Sequence, residues 1–183
     1  MNWKEIPLTK KIYLFELDDV LYAKQDYLLQ IYYLFAQFVD FSESTDIATD
    51  LVKYMREIFL EKGEREVFEH TQASFKFTTN YQENFDRLMV NGQLPLKLLL
   101  YTEIKLLFAS IIENGGQIAI LTKGNPALQL NKLKHIDWQG FDTSIKVYFV
   151  DELHFRNLEP FTYIASENNL DTSDLCFIDS KLS

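Results

Sequence analysis

Four short, mostly apolar runs, each followed by polar residues, are the clearest feature of the sequence. They lie at residues 12–17, 117–122, 145–150 and 175–178. Runs of this length, with apolar side chains at consecutive positions, are typical of strands buried on both faces of a parallel sheet. The pattern predicts four parallel strands with polar residues at their carboxyl ends.

Helical patterns alternate with the last three runs. The predicted helices cover residues 103–114, 125–136 and 159–168. Gly115 and Gly116 end the first helix. Asn125 and Pro126 are typical of the N-cap and the first helical residue of the second. This alternation predicts an α/β fold with a Rossmann-like, doubly wound parallel sheet and right-handed crossovers.

The segment 23–91 interrupts that alternation directly after the first predicted strand. Its apolar residues recur at intervals of three and four, as in Leu28, Ile31, Tyr32, Phe35 and Phe38. Such spacing is typical of amphipathic helices. We therefore predict an all-helical cap at 23–91, inserted over the strand ends of an α/β core that comprises 1–22 and 92–183.

Composition and charge narrow the classes of partner. The chain has 183 residues, 47% of them hydrophobic, and a net charge of −9 with a pI near 4.8. This acidic balance argues against nucleic acid as a partner. No run of 18 apolar residues predicts a membrane span, and the single Cys176 fits a cytoplasmic protein without disulfides. The oligomeric state cannot be read from the sequence, and the three histidines, His70, His135 and His154, have no ligand spacing.

The segment 15–22, with the sequence FELDDVLY, carries the strongest chemical signal. It presents Glu16 and Asp18 two residues apart where the first strand ends. In a hydrolase, one such carboxylate attacks phosphorus, the other moves the proton of the leaving group, and both help to gather a divalent cation. An acidic strand end is also common in solvated turns, so the segment alone leaves both interpretations open.

The segment resembles the signature of the haloacid dehalogenase-like hydrolases, which is a hydrophobic strand, Asp-x-Asp, a small residue, Leu and Tyr. Two later segments are similar to further motifs of that family, in the same order. The sequence ILTKGN (120–125) is similar to the second motif, and CFIDS (176–180) is similar to the fourth. The resemblance implies the family's fold over most of the chain.

The resemblance also implies roles for individual residues. Glu16 takes the place of the nucleophile and Asp18 that of the general acid/base. Thr122, with Lys123 and Gly124, takes the place of the phosphate-binding segment. The metal ligands would be Glu16, Asp18 and Asp179, with Asp18 contributing its backbone carbonyl to an octahedral Mg²⁺ site completed by water.

Three departures from the family pattern bear on activity. Glu16 is one methylene longer than the family's aspartate, which displaces its carboxylate by about 1.5 Å, and a misplacement of about 1 Å can cost about 100-fold in rate. The third motif should supply a lysine, but Leu153 or Asn157 stands in its place. Arg156 is either a substitute cation or an exposed loop residue. In the fourth motif, Ile178 precedes Asp179 where the family has glycine.

Two functions fit these observations equally well. The first is a magnesium-dependent phosphatase of a small phosphorylated metabolite, with weak activity. The second is a catalytically inactive relative that keeps the fold for binding. A dehalogenase of small acids fits less well, because Asp18 and Asp179 suit a cation site.

Overall fold

The computed structural model describes residues 6–141 and 145–180. Its α/β part contains a parallel sheet. The strands are β1 (Ile12–Phe15), β2 (Leu98–Leu99), β3 (Gln117–Thr122), β4 (Ile136–Asp137), β5 (Lys146–Phe149) and β6 (Leu175–Ile178). The helices are α1 (Lys24–Glu43), α2 (Ala48–Lys62), α3 (Val67–Phe75), α4 (Gln82–Asn91), α5 (Thr102–Glu113), α6 (Pro126–His135), α7 (Val150–Phe155) and α8 (Pro160–Glu167).

The main sheet has the strand order β5-β3-β1-β6, and all of its pairs are parallel. The central strand β1 pairs Ile12 with Gln117 of β3 on one side and with Leu175 of β6 on the other. These four strands are the four that the sequence predicts. The α/β, Rossmann-like fold with helical insertions is therefore confirmed.

Each face of the sheet buries its own set of side chains, because side chains alternate along a strand. On one face, Leu14 and Leu121 pack with Ile164 of α8 in the larger cluster Ile12, Leu14, Ala119, Leu121, Tyr148, Leu153, Ile164, Ala165 and Leu175. On the other face, the ring of Phe15 meets that of Phe108 of α5 edge to face at 4.9 Å. Burial on both faces explains the continuous apolar runs.

The turn between α5 and β3 uses both of its glycines. Gly115 has φ of +76°, a conformation that side chains disfavour. A Cβ on Gly116 would lie 2.9 Å from the side chains of both Ile111 and Tyr13. The predicted end of this helix is therefore confirmed. Gly116 leaves room for Ile111 of α5 and Tyr13 of the neighbouring strand β1.

The chain divides into two compact units, Met1–Lys24 with Leu98–Ser183, and Gln25–Lys97. The second unit contains α2, α3, α4 and nearly all of α1, and no strand lies in it. Whether this helical unit acts as a cap, with the predicted limits 23–91, stays a prediction. No helix in the described part of the chain is long and apolar enough to cross a membrane.

Aromatic rings fill the interior of the helical unit. Phe35 of α1 contacts Phe68, Phe77 and Phe85 at centroid distances of 5.9, 6.2 and 5.2 Å. The hydroxyl of Tyr32 is buried and has no hydrogen-bond partner among the described residues. Burial accordingly raises the pKa of this phenol. The apolar stripe that predicts the helix therefore forms the core of this unit.

Two short features were not predicted from the sequence. Helix α7 begins directly after β5, so the apolar run 145–150 ends as a helix at Val150. Strands β2 and β4 form a separate parallel pair that joins Leu98 to Ile136. A strand of two residues is too short to show an apolar run, and a helix of six residues is too short to show helical periodicity, so the sequence gives little signal for them.

Candidate functional site

Glu16 lies just beyond the end of β1, and its carboxylate is held by donors from two strand ends. Its Oε1 accepts a hydrogen bond from the backbone N–H of Leu17 at 2.9 Å and another from the hydroxyl of Thr122 at 2.5 Å. Thr122 is fully buried at the end of β3. The predicted nucleophile and the predicted phosphate-binding hydroxyl are thus in direct contact.

Burial raises the pKa of Glu16 above its ordinary value. Hydrogen bonds from Thr122, from the Leu17 amide and from the backbone N–H of Lys123 oppose this rise, and the charge of Asp18 adds to it. Burial disfavours the charged carboxylate because it removes water, whereas donors favour it. The net rise in pKa indicates that the charged form of Glu16 lowers the stability of the folded protein.

An open cavity of about 460 Å³ lies beside Glu16, and its lining includes Lys123, His154, Asp179 and Ser180. Strand alternation accounts for Glu16, Lys123 and Asp179, because each follows by two positions a residue of the same apolar cluster: buried Leu14, buried Leu121 and partly buried Phe177, respectively. The structure therefore brings together predicted residues from the ends of three strands, β1, β3 and β6. Cavities of about 300–1,000 Å³ are typical of small-molecule sites.

Asp18 makes a separate set of contacts. Its Oδ1 accepts a hydrogen bond from the hydroxyl of Tyr22 at 2.9 Å, and its Oδ2 accepts one from Nζ of Lys132 at 2.6 Å. The ammonium of Lys24 lies 4.0 Å from the same Oδ2. Lys132 is only 3% exposed, so its charge is buried beside a carboxylate that is 21% exposed.

Lys132 was not predicted as a site residue. It lies in the last turn of α6, where a lysine is typically solvent-exposed and favoured by the helix dipole. A signal was present, because Lys132 is four residues after Leu128 and four before Ile136, and this spacing places it on an apolar stripe of the helix.

The segment predicted to bind phosphate already donates to carboxylates of this chain. Thr122 and the Lys123 amide donate to Glu16, and the amide of Gly124 donates to Oδ2 of Asp151 at 3.2 Å. The adjoining helix α6 begins as predicted, with Asn125 accepting from the amide of Ala127 at 2.9 Å. An incoming anion would have to replace these carboxylates to use the same donors.

The residues considered for the third motif lie on or just after α7. Leu153 is buried in the core, at 4% exposure. Asn157 is exposed and has φ of +57°. The guanidinium of Arg156 lies over the ring of Tyr163, 5.6 Å from its centroid. This contact favours the interpretation of Arg156 as an exposed residue at the end of α7, and Lys132 is the buried cation near the acidic segment.

The oxygen atoms of the predicted ligands are of the type that binds a magnesium ion. Among the described residues, no group of three or more His, Cys, Asp or Glu side chains is placed to hold a metal ion. The predicted set needs only two carboxylates, those of Glu16 and Asp179, together with the Asp18 carbonyl and water. Both carboxylates line the same cavity, and oxygen donors are those that magnesium prefers. The ligand assignment therefore stays a prediction.

Comparisons with known proteins decide the fold. No family model matches the chain, and no curated protein matches it. A haloacid dehalogenase-like family hydrolase from Xanthomonas campestris aligns with 93% of this chain and 73% of its own, at a TM-score of 0.50 and 14% identity. The chain has the haloacid dehalogenase-like fold. At such identity the likeness extends to the fold alone.

Further solved structures with similar coverage have lower scores. A hydrolase from Streptococcus pneumoniae covers 89% of this chain and 80% of its own, with a TM-score of 0.47 and 12% identity. The candidate HAD-hydrolase YfnB of Bacillus subtilis, solved with bound magnesium, covers 86% of this chain and 72% of its own, with a TM-score of 0.49 and 14% identity.

Proposed function

We propose that this chain is a magnesium-dependent hydrolase of small phosphorylated molecules, with weak activity. The observation that carries the proposal is the shared cavity of Glu16, Lys123 and Asp179 at the carboxyl ends of three parallel strands. In open α/β sheets, ligands bind outside the carboxyl ends of the strands. The carboxylate pair suits a cation, and the amides before α6 suit an anion.

Each side chain has a distinct part in this proposal. Glu16 is the attacking carboxylate, and Asp18 is the group that exchanges a proton with the leaving oxygen. Thr122 and the amides of Lys123 and Gly124 hold the phosphoryl oxygens. Glu16 and Asp179 would hold Mg²⁺, which neutralises charge on the phosphoryl group when it is bound.

The weak activity follows from what now occupies those donors. A phosphate must displace Glu16 from Thr122 and Lys123, and Asp151 from Gly124, before it gains their hydrogen bonds. A carboxylate of aspartate at position 16 would be shorter by one methylene and would not reach as far toward Thr122. The extra methylene therefore lowers anion affinity as well as misplacing the attacking oxygen.

The second candidate function is binding without hydrolysis, and the contacts of Asp18 favour it. Both of its oxygens accept hydrogen bonds, one of them from a buried ammonium. These contacts engage both oxygens, so a leaving oxygen would have to displace Tyr22 or Lys132 to approach Asp18. A site of this kind keeps the cavity and its charges, but its candidate acid is held by other residues of the chain.

Substitution of Glu16 by aspartate separates the two candidates. We expect Glu16→Asp to raise phosphomonoester hydrolysis about tenfold or more with Mg²⁺ present, because it frees Thr122 and shortens the misplaced side chain. The measurement is the steady-state rate against a broad panel of phosphomonoesters. Glu152→Asp is the matched control, because Glu152 is exposed on α7 and the substitution shortens its side chain by the same methylene.

The outcome that contradicts the hydrolase is equally definite. If the parent and Glu16→Asp both lack turnover while calorimetry still detects Mg²⁺ and inorganic phosphate binding, the chain is a binding protein. A parent that is faster than Glu16→Asp would show that the site is adapted to glutamate.

A further inference from the structure

The cavity beside Glu16 has an apolar side as well as a charged one. Five of its lining residues are apolar: Leu121, Val150, Pro160, Phe161 and Phe177. The rings of Phe161 and Phe177 meet edge to face, with centroids 5.7 Å apart and an interplanar angle of 78°. Both residues are only partly buried, so ring surface remains available to a ligand.

The position of these rings follows from the chain around them. Phe177 is in β6, and Asp179 directly follows the strand. The two residues are two positions apart, so both side chains lie on the same face of the sheet. Phe161 is in the first turn of α8, directly after Pro160. The aromatic pair therefore lies beside the acid that the proposed function assigns to the cation.

Among the polar residues that line the cavity, Glu159 is nearest to Phe161 in sequence, and its carboxylate is already engaged. The carboxylate of Glu159 accepts hydrogen bonds from the amides of Phe161 at 3.3 Å and Thr162 at 2.7 Å, which cap α8. These donors hold the pKa of Glu159 below its ordinary value. A hydroxyl-rich ligand would have to compete with this helix cap for the carboxylate, whereas a flat apolar group would simply cover the rings.

We infer that the site selects phosphomonoesters whose organic part is an aromatic ring, with Phe161 and Phe177 forming the wall that the ring contacts. This inference rests on the proposed function for the position of the phosphoryl group. Aromatic rings gain contact energy with one another beyond the area that they bury, whereas a sugar needs placed donors and acceptors. Phe161 is accordingly a specificity-determining residue.

Non-hydrolysable ligands test this preference without depending on turnover. Calorimetric titration of the full chain, with Mg²⁺ present, would compare phenylphosphonate with methylphosphonate, and glucose 6-phosphate would represent the hydroxyl-rich class. We expect phenylphosphonate to bind about tenfold more tightly than methylphosphonate and more tightly than glucose 6-phosphate.

Variants then assign the preference to the aromatic wall. Phe161→Ala should reduce the preference for phenylphosphonate to about threefold or less, with little change for methylphosphonate. Phe155→Ala is the matched control, because Phe155 lies on α7, is not among the residues that line the cavity, and is 87% exposed. Circular dichroism checks that each variant is folded, and the comparison of ligands on the parent holds even if Phe161→Ala is not.

The outcomes distinguish this inference from the proposed function. An aromatic preference without any turnover would overturn the hydrolase and leave the inference standing. Equal binding of both phosphonates, tighter binding of glucose 6-phosphate, or no binding of either phosphonate would overturn the inference. Turnover of sugar phosphates without aromatic preference would overturn it while supporting the hydrolase.

Discussion

The helical unit and the α/β unit fill their interiors with different chemistry. In the helical unit, Phe35 lies among three other phenylalanine rings. The hydroxyl of the fully buried Thr71 donates a hydrogen bond to the carbonyl of Val67, one turn earlier in the same helix. In the α/β unit, Lys132 is buried with its charge beside Asp18. Burying a charge costs free energy that burying a ring does not. The contrast indicates that the α/β unit gives up stability at the strand ends, where the candidate site lies.

The largest effect on stability is expected for a substitution in the aromatic interior of the helical unit. Phe35→Ala should lower the free energy of unfolding by about 3–5 kcal/mol, because it removes a fully buried ring and leaves a cavity. Denaturant titration measures the change. Phe41→Ala, at a phenylalanine of the same helix that is 88% exposed, should change stability by less than about 0.5 kcal/mol. A similar loss in both variants would contradict this account of the core.

The next largest effect on stability is expected for the buried ion pair of Lys132 and Asp18. Asp18→Asn should cost about 3 kcal/mol, because the ammonium of Lys132 stays buried without this carboxylate. Lys132→Met should cost less, since Asp18 is partly exposed and Lys24 remains near it. The double variant should be more stable than the sum of the two losses predicts. Additive losses in this double-mutant cycle would mean that the pair is not coupled.

A smaller effect depends on pH. Burial raises the pKa of Glu16, so the charged form costs stability at neutral pH, and this cost is absent below the ordinary glutamate value of about 4.3. Glu16→Gln should therefore be more stable than the parent at pH 7, with the difference shrinking as the pH falls to about 4. Thermal unfolding in a chelating buffer measures it, with Glu152→Gln as the exposed control. A difference that grows toward low pH would contradict the direction of the shift.

The smallest expected change is a gain in stability. Tyr32→Phe removes a buried hydroxyl that has no partner among the described residues, and should stabilise the helical unit by about 1 kcal/mol. Tyr27→Phe is the matched comparison, because the hydroxyl of Tyr27 donates to the carbonyl of Met89, and its loss should destabilise by a similar amount. Melting curves that shift in the same direction for both variants would show that the two hydroxyls are not in different environments.

The sequence is sufficient to predict the sheet because the signal is local. The runs 117–122 and 175–178 coincide with β3 and β6, since a strand buried on both faces needs consecutive apolar residues. The start of α6 is predicted correctly for a similar reason. Asn125 and Pro126 meet the requirements of a helix N-terminus within two residues.

The site's contacts could not be predicted from the sequence because they join distant residues. Glu16 meets Thr122 and Asp18 meets Lys132 across more than a hundred positions. A motif locates the strand ends but not the side chain that a longer glutamate reaches. Asn157 illustrates the same limit, since a lysine there would have to adopt a positive φ, which asparagine tolerates better. Replacing it by lysine is therefore not the simple restoration of a cation that the motif pattern indicates.

The central place of β1 in the sheet also affects the order in which the protein folds. During synthesis Ile12 emerges early, but its partners Gln117 and Leu175 emerge much later. The helical segment between them closes through contacts within Gln25–Lys97, and local contacts form faster than distant ones. Strand β1 therefore has two unpaired edges until β3 and β6 have been synthesised, and unpaired strand edges are segments that a chaperone would protect from aggregation.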